Sequence, residues 1–274
     1  MSAAIATNRG AKTGIWPLTS AVRSVETGRA DVPVSPGPQP WHVSGAPNGR
    51  DGDPPVPDVL TPEPPSHYRD GRERLADLIV HLTGLALALV GGGMLLGLAI
   101  GFGHVGRLTA AAIYAVGLLT MLGLSTAYNF AAARFQPLLR RFDHAGIFVM
   151  IAGSYTPFTT QHLTGAWAWG MTAAVWTTAV IAAAAKLLLP GLGKGFWIAI
   201  YMALGWLMVI AIQPFTQSLG LAPLILLAVG GLMYSVGVIF YANKQMRYRR
   251  AIWHGHVVAA AAVHWVAVLL AVIK

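Results

Sequence analysis

LADLIVHLTGLALALVGGGMLLGLAIGF, residues 75–102, contains no Lys or Arg and one acid, Asp77. A helix needs about 20 apolar residues to cross roughly 30 Å of hydrocarbon, and this run exceeds that. In lipid every backbone N–H and C=O must find an internal partner, so the run reads as a membrane-spanning helix. Six further apolar runs follow, at roughly 108–132, 144–160, 167–189, 195–213, 220–242 and 251–273. The third is the shortest and must extend toward Asp143 to cross. The connections between runs are short: GHVGR, ARFQPLLRRF, QHLTGA, PGLGKG, QPFTQSLG and NKQMRYRR. The expected fold class is all-α, a seven-transmembrane-helix bundle.

Composition supports the same class. Of 274 residues, 55% are apolar and 11% charged, whereas soluble domains carry about 25% charged residues. This chain cannot cover a globule with polar side chains, which excludes an ordinary soluble enzyme. The net charge of +9 raises nucleic acid as a partner, but its distribution excludes that class. Nine of ten acids lie at or before Asp77, and beyond it Asp143 stands alone against 11 Lys and Arg. Those cations cluster in the connections, as topology signals do. There is no cysteine, so disulfides and Cys-ligated zinc are excluded.

Residues 1–68 form a separate body. They hold 12 of the 17 prolines and most of the acids. With no apolar period to offset chain entropy, they are expected to be a disordered cytoplasmic tail, with 69–274 the membrane domain. No basic segment followed by an apolar one marks a signal peptide there.

Seven spans place the termini on opposite sides. With the N-terminus inside, cytoplasmic segments carry Arg69, Arg72, Arg74, Arg134, Arg140, Arg141, Lys186, Lys194, Lys244, Arg247, Arg249 and Arg250; the outside carries Arg107 and Lys274. Twelve against two favours a cytoplasmic N-terminus and an outside C-terminus in a bacterial-type inner membrane. Trp167, Trp169, Trp197, Trp253 and Trp265 lie near run ends, where interfacial anchors belong.

Ionisable and polar residues inside spans are costly and mark candidate sites. Glu73, Asp77 and His81 share one helix face at i, i+4 and i+8. Ser125 and Asn129 are i, i+4 at the end of the second run, Asp143 and His144 open the third, and Arg250 and His254 are i, i+4 at the start of the seventh. The topology delivers all four segments to one membrane depth, implying a cytoplasm-facing polar pocket. Plainer roles stand beside this one. Asp143 can cap its helix, Glu73 and Asp77 can form a solvated first turn, Ser125 can bond its own helix, and Arg250 can be a topology charge. His254 and His256 lie on different faces and cannot chelate one metal from an unbroken helix. His264, about 15 Å deeper by helical rise, is expected to bond another helix.

Four segments resemble the haemolysin III family, the bacterial branch of the progestin and adipoQ receptor group: RERLADLIVHLTG (72–84), LSTAYNF (124–130), RRFDHAGIFVMIAGSYTPF (140–158) and YRRAIWHGHVVAAAAVHW (248–265). The resemblance covers essentially 72–274 and leaves out the tail. It implies seven helices, a cytoplasmic N-terminus and a zinc near that face. The implied zinc ligands are the last position of SxxxH in helix 2 and both His of HxxxH in helix 7, with an Asp opening helix 3 to hold the zinc-bound water. Here the Ser is Ser125, the Asp is Asp143 and the second helix-7 His is His254. The other two ligand positions hold Asn129 and Arg250. A catalytic zinc takes about three protein ligands plus an open position, and Arg offers no lone pair. His254 is thus the one metal-ligand candidate, Asp143 and Ser125 the catalytic candidates, and no cofactor is expected. In zinc's place, Arg250 is expected to pair with Asp143, with Asn129 beside them.

The resulting functional reading is a multi-pass membrane protein whose pocket binds a lipid or senses the membrane, with membrane lipids as partners. The alternatives are a zinc-dependent lipid amide hydrolase of the ceramidase kind, against which the replaced ligands speak, and a pore-forming haemolysin, for which no polar stripe exists. A reporter fused after Lys274 should behave as periplasmic. A cytoplasmic readout would overturn either the count of seven or the orientation.

Overall fold

The computed structural model describes residues 67–189 and 191–273. The expected tail, residues 1–68, lies outside the described residues except for His67 and Tyr68. The helices, in chain order, are α1 (Gly71–Gly101), α2 (Val105–Phe130), α3 (Gln136–Gln161), α4 (Gly165–Leu188), α5 (Lys194–Gly205), α6 (Ile212–Ser218), α7 (Leu221–Ala242) and α8 (Arg249–Ile273). Short 3-10 segments precede α3 and join α5 to α6. No strand occurs among the described residues.

Six segments are long and apolar enough to cross a membrane: α1, α2, α4, the α5–α6 unit, α7 and α8. The seventh pass is α3, which matches them in length at 26 residues but carries Arg140, Arg141, Asp143 and a Thr-rich end. Its polarity is tolerable because it is an interior helix. It packs against α2, α4 and α8, and Asp143, Thr156, Pro157 and Thr159 are all buried. The other helices turn Val90, Val105, Leu188 and Leu221 outward, each more than 70% exposed. A bundle that leaves such side chains bare throughout its circumference has lipid as its solvent.

Small residues bring α2 and α3 together. A Cβ on Gly153 would stand 3.2 Å from the carbonyl oxygen of Ile113, and one on Gly117 3.5 Å from the Cα of Met150. Between lipid-embedded helices, where no hydrophobic force favours association, such backbone approach supplies the packing energy. The same holds for α7 and α8, where Gly230 lies against the ring of His264. His264 Nε2 donates to the carbonyl of Leu227 at 3.2 Å, so this histidine ties α8 to α7 as its depth suggested.

The fifth pass is broken. Pro214 has no N–H to donate, so the turn before it lacks a helical bond. The chain runs as 3-10 helix over Leu207–Ala211 instead. Tyr155 of α3 meets the groups released there: its hydroxyl accepts from Met208 N at 2.8 Å and donates to Gly205 O at 2.9 Å. A side chain of a neighbouring helix thus replaces the water that lipid cannot supply.

Two expectations need correction. Asp143 does not cap α3, because the helix begins seven residues earlier, at Gln136, with Pro137 in its first turn. The sequence QPLLRRF is too polar to look like a span, but it is helical all the same. Among the tryptophans, Trp167 and Trp169 are exposed at the start of α4. Trp197, however, is buried beneath Lys186 and against Phe148, and Trp265 donates to Gly91 O inside the bundle. Both are packing residues, since the indole has a helix neighbour within reach.

Gly230→Ala should push the His264 ring aside and lower stability by roughly 1–3 kcal/mol. Gly93→Ala, with nothing within 4 Å of the added carbon, should be neutral or slightly stabilising. Thermal unfolding in detergent measures both, and equal effects would show that the α7–α8 approach carries no constraint.

Candidate functional site: a buried carboxylate and a guanidinium at one end of the bundle

The first turn of α1 organises one end of the bundle. Asp70 caps the helix, its Oδ1 accepting from Glu73 N at 2.8 Å, and Oδ2 accepts from Arg247 at 3.2 Å. Donation by the Glu73 N–H and the nearby guanidinium holds the Asp70 carboxyl below its ordinary pKa. Glu73 faces back toward the chain entering α1. Its two oxygens accept from the backbone N–H groups of Arg69 and Tyr248, each at 3.1 Å. Arg69 in turn donates to the carbonyls of Lys244 and Gln245. The approach to α1 and the α7–α8 connection are thereby stitched together.

One turn deeper lies Asp77, with no solvent exposure. Oδ2 accepts from the Tyr68 hydroxyl at 2.6 Å and Oδ1 from His254 Nδ1 at 2.6 Å. Burial and the bond to Asp77 raise the Tyr68 pKa well above that of an ordinary tyrosine, so the hydroxyl keeps its proton and donates. Two short, charge-assisted bonds are what a buried carboxylate requires. His81 stacks edge-on to His254, ring centroids 4.3 Å apart. Its Nδ1 donates to the Asp77 carbonyl at 2.8 Å, and its Nε2 meets Ser125 Oγ at 3.3 Å.

Asn129 Nδ2 donates to the Ser125 carbonyl at 2.9 Å, and Asn129 Oδ1 accepts from Arg250 Nη1 at 2.7 Å. Arg250 lies between the rings of Tyr68 and Tyr128, about 6 Å from each centroid. Its Nε is buried without a hydrogen-bond partner. Asp143 is buried, with Ser125, His254 and Arg250 as its polar neighbours.

The expected Arg250–Asp143 ion pair is not among those formed by the described residues. Arg250 directs one terminal nitrogen, Nη1, at Asn129 Oδ1, and the acid that holds His254 is Asp77. A cavity of about 610 Å³ opens at this end and is lined by His81, Ser125, Asn129, Asp143, Arg250 and His254. Glu73 and Asp77 do not line it; they stand behind, positioning the α7–α8 connection and His254. Tyr68 is the residue that sequence reasoning missed. It falls within the expected tail, yet it is 7% exposed and stacks on Phe130. The available signal was an aromatic residue directly before the first polar helical turn.

The donor chemistry decides how the implied zinc fits. Two of its three ligand positions, Asn129 and Arg250, bond to each other through an amide oxygen and a guanidinium, so the set offers a permanent cation and one imidazole. That set does not fit zinc. A different trio, Asp77, His81 and His254, offers ligand atoms within 4.8 Å of one another. It shares only His254 with the implied set, and Asp77 and the Nδ1 atoms of both histidines are engaged in the hydrogen bonds above.

Tyr68→Phe removes one of the two donors to a fully buried carboxylate and should cost about 1.5–3 kcal/mol. Thermal unfolding in detergent tests this; unchanged stability would show that water replaces the hydroxyl.

The comparisons agree with this architecture. The profile of the family described as Haemolysin-III related matches residues 72–265. The chain is 32% identical over 207 residues to the Hemolysin-3 homolog of Bacillus subtilis (strain 168), covering 74% of this chain and 96% of that protein. It is 30% identical over 203 residues to Hemolysin-3 of Bacillus cereus, covering 74% and 93%. A more distant relative is the human Monocyte to macrophage differentiation factor, 28% identical over 164 residues, covering 57% of this chain and 67% of that one. With seven helical passes and a matched segment that runs from the first turn of α1 into α8, the chain is a multi-pass membrane protein of the haemolysin-III-related family.

Proposed function

We propose that this protein lies in the plasma membrane with its N-terminus cytoplasmic and its C-terminus outside, and that it binds a membrane lipid or acyl chain in the bundle as a binding or sensing protein. The observation that carries the reading is the shape and chemistry of the cavity. It begins among Asn129, Arg250 and His254 at the polar end and continues to Phe158, Phe215 and Leu227. A pocket of 300–1,000 Å³ with an apolar body and a few convergent polar groups suits a small amphiphile. The orientation rests on the twelve-to-two distribution of basic residues.

Zinc-dependent amide hydrolysis is the weaker reading because a guanidinium and an amide occupy two of the implied ligand positions. The purified protein should contain much less than one zinc per chain. Stoichiometric, chelator-resistant zinc would sink the metal-free assignment. Asn129→His combined with Arg250→His should create a three-His set with His254 and raise zinc affinity. Native mass spectrometry of the same preparation should show a bound lipid. Ser154→Trp, which places an indole in the cavity, should expel it; retention of the lipid by this variant would overturn the pocket as its location.

A further inference from the structure

The cavity has an unbalanced charge at its mouth. The basic side chains lining it include Arg140, Arg141, Lys186, Lys194, Arg249 and Arg250, against one carboxylate, Asp143. They come from the start of α3, the end of α4, the start of α5 and the start of α8. None of them forms an ion pair among the described residues, where the only pairs are His81–Asp77, His254–Asp77 and Arg247–Asp70. Lys186 and Lys194 instead lie over the rings of Trp197 and Tyr241. Arg140 and Lys194 are exposed, while Arg141, Lys186, Arg249 and Arg250 are half-buried. These converge on one opening, and the deepest of them, Arg250, has a buried Nε with no acceptor. A permanent cation at a cavity wall with no carboxylate partner favours an anion there.

Below the mouth the walls become apolar and aromatic, with Met150, Phe158, Trp206, Phe215 and Leu227. An anion that fits must therefore carry a tail. Several cations around one opening exceed what a single carboxylate neutralises, and the guanidinium fork matches phosphate oxygens in pairs. We propose that the cavity selects a single-tailed lipid bearing a phosphate monoester, with the phosphate on Arg250 and the surrounding cations and the tail along the apolar wall. This rests on the lipid-binding reading above and adds the headgroup to it.

The test is equilibrium binding to the full-length protein in a neutral detergent. The probe is 1-oleoyl lysophosphatidate. Oleate, oleoyl lysophosphatidylcholine and inorganic phosphate serve as comparators. Lysophosphatidate should bind saturably and at least tenfold more tightly than the phosphocholine lipid of the same tail. Oleate should fall between them, and inorganic phosphate alone should not compete at matched concentration. Arg250→Gln should lose about tenfold for lysophosphatidate while leaving the phosphocholine lipid unchanged, and Arg250→Lys should recover part of the loss. If Arg250→Gln does not fold, Arg140→Gln with Lys186→Gln should produce the same selective loss.

Equal affinity for the two headgroups would overturn the phosphate assignment and leave the lipid pocket standing, whereas no binding of any single-tailed amphiphile would overturn both. Competition by inorganic phosphate alone would show a site that ignores the tail, which also overturns the proposal. Removing residues 1–66, which carry six of the acids, should change affinity by less than twofold. A larger gain would show that the cations serve carboxylates of the chain's own N-terminal segment, which would replace the lipid phosphate as their partner.

Discussion

A carboxylate sealed between membrane helices must be met by donors or it cannot remain ionised there. Asp77 sets the terms for its whole end of the bundle on that ground. Tyr68 has to fold back onto α1 to reach one oxygen, and His254 has to present Nδ1 from α8 to reach the other. Those two demands bring the entering chain, α1 and α8 into a single register. Glu73 continues the same work one turn higher, where it meets the backbone of Tyr248, a residue in the left-handed region with φ of 56°. The α7–α8 connection is thus shaped by an acid on α1.

The zinc arrangement implied by family resemblance and the contacts formed here hold their neighbours in different ways. A metal ion organises its ligands by drawing lone pairs inward. A guanidinium has none to receive and organises its neighbours by donating outward. Arg250 accordingly selects an oxygen acceptor, Asn129, where a metal would select nitrogens. His254 bonds a carboxylate from a different helix, Asp77 of α1. The permanent positive charge near Asp143 is the Arg250 guanidinium.

Much of the fold could be read directly because lipid leaves so few options. Runs such as 75–102 have no alternative to helix, and short connections force neighbouring passes to be antiparallel. The limits of α3 were harder to see. Its first two turns are polar because they lie at the cavity mouth, and hydropathy reports the surroundings of a segment more than its conformation. The site was readable as a set of polar positions at one depth, since the i, i+4 spacings on α1, α2 and α8 fix shared faces. Partner choice was not readable. Whether Arg250 meets Asp143 or Asn129 depends on side-chain reach of a few ångströms, and the role of Tyr68 depends on a backbone path outside any periodic element.

The Tyr68 hydroxyl joins two parts of the molecule that are usually considered apart. Residues 1–66 are covalently continuous with it, and on its other side is the carboxylate that sets the hold on His254. Without the Tyr68 hydroxyl, Asp77 would lose the donor on Oδ2 and keep the one from His254, an imidazole that lines the cavity. One bond of 2.6 Å thus ties the chain entering α1 to the residue that orients an imidazole of the cavity wall.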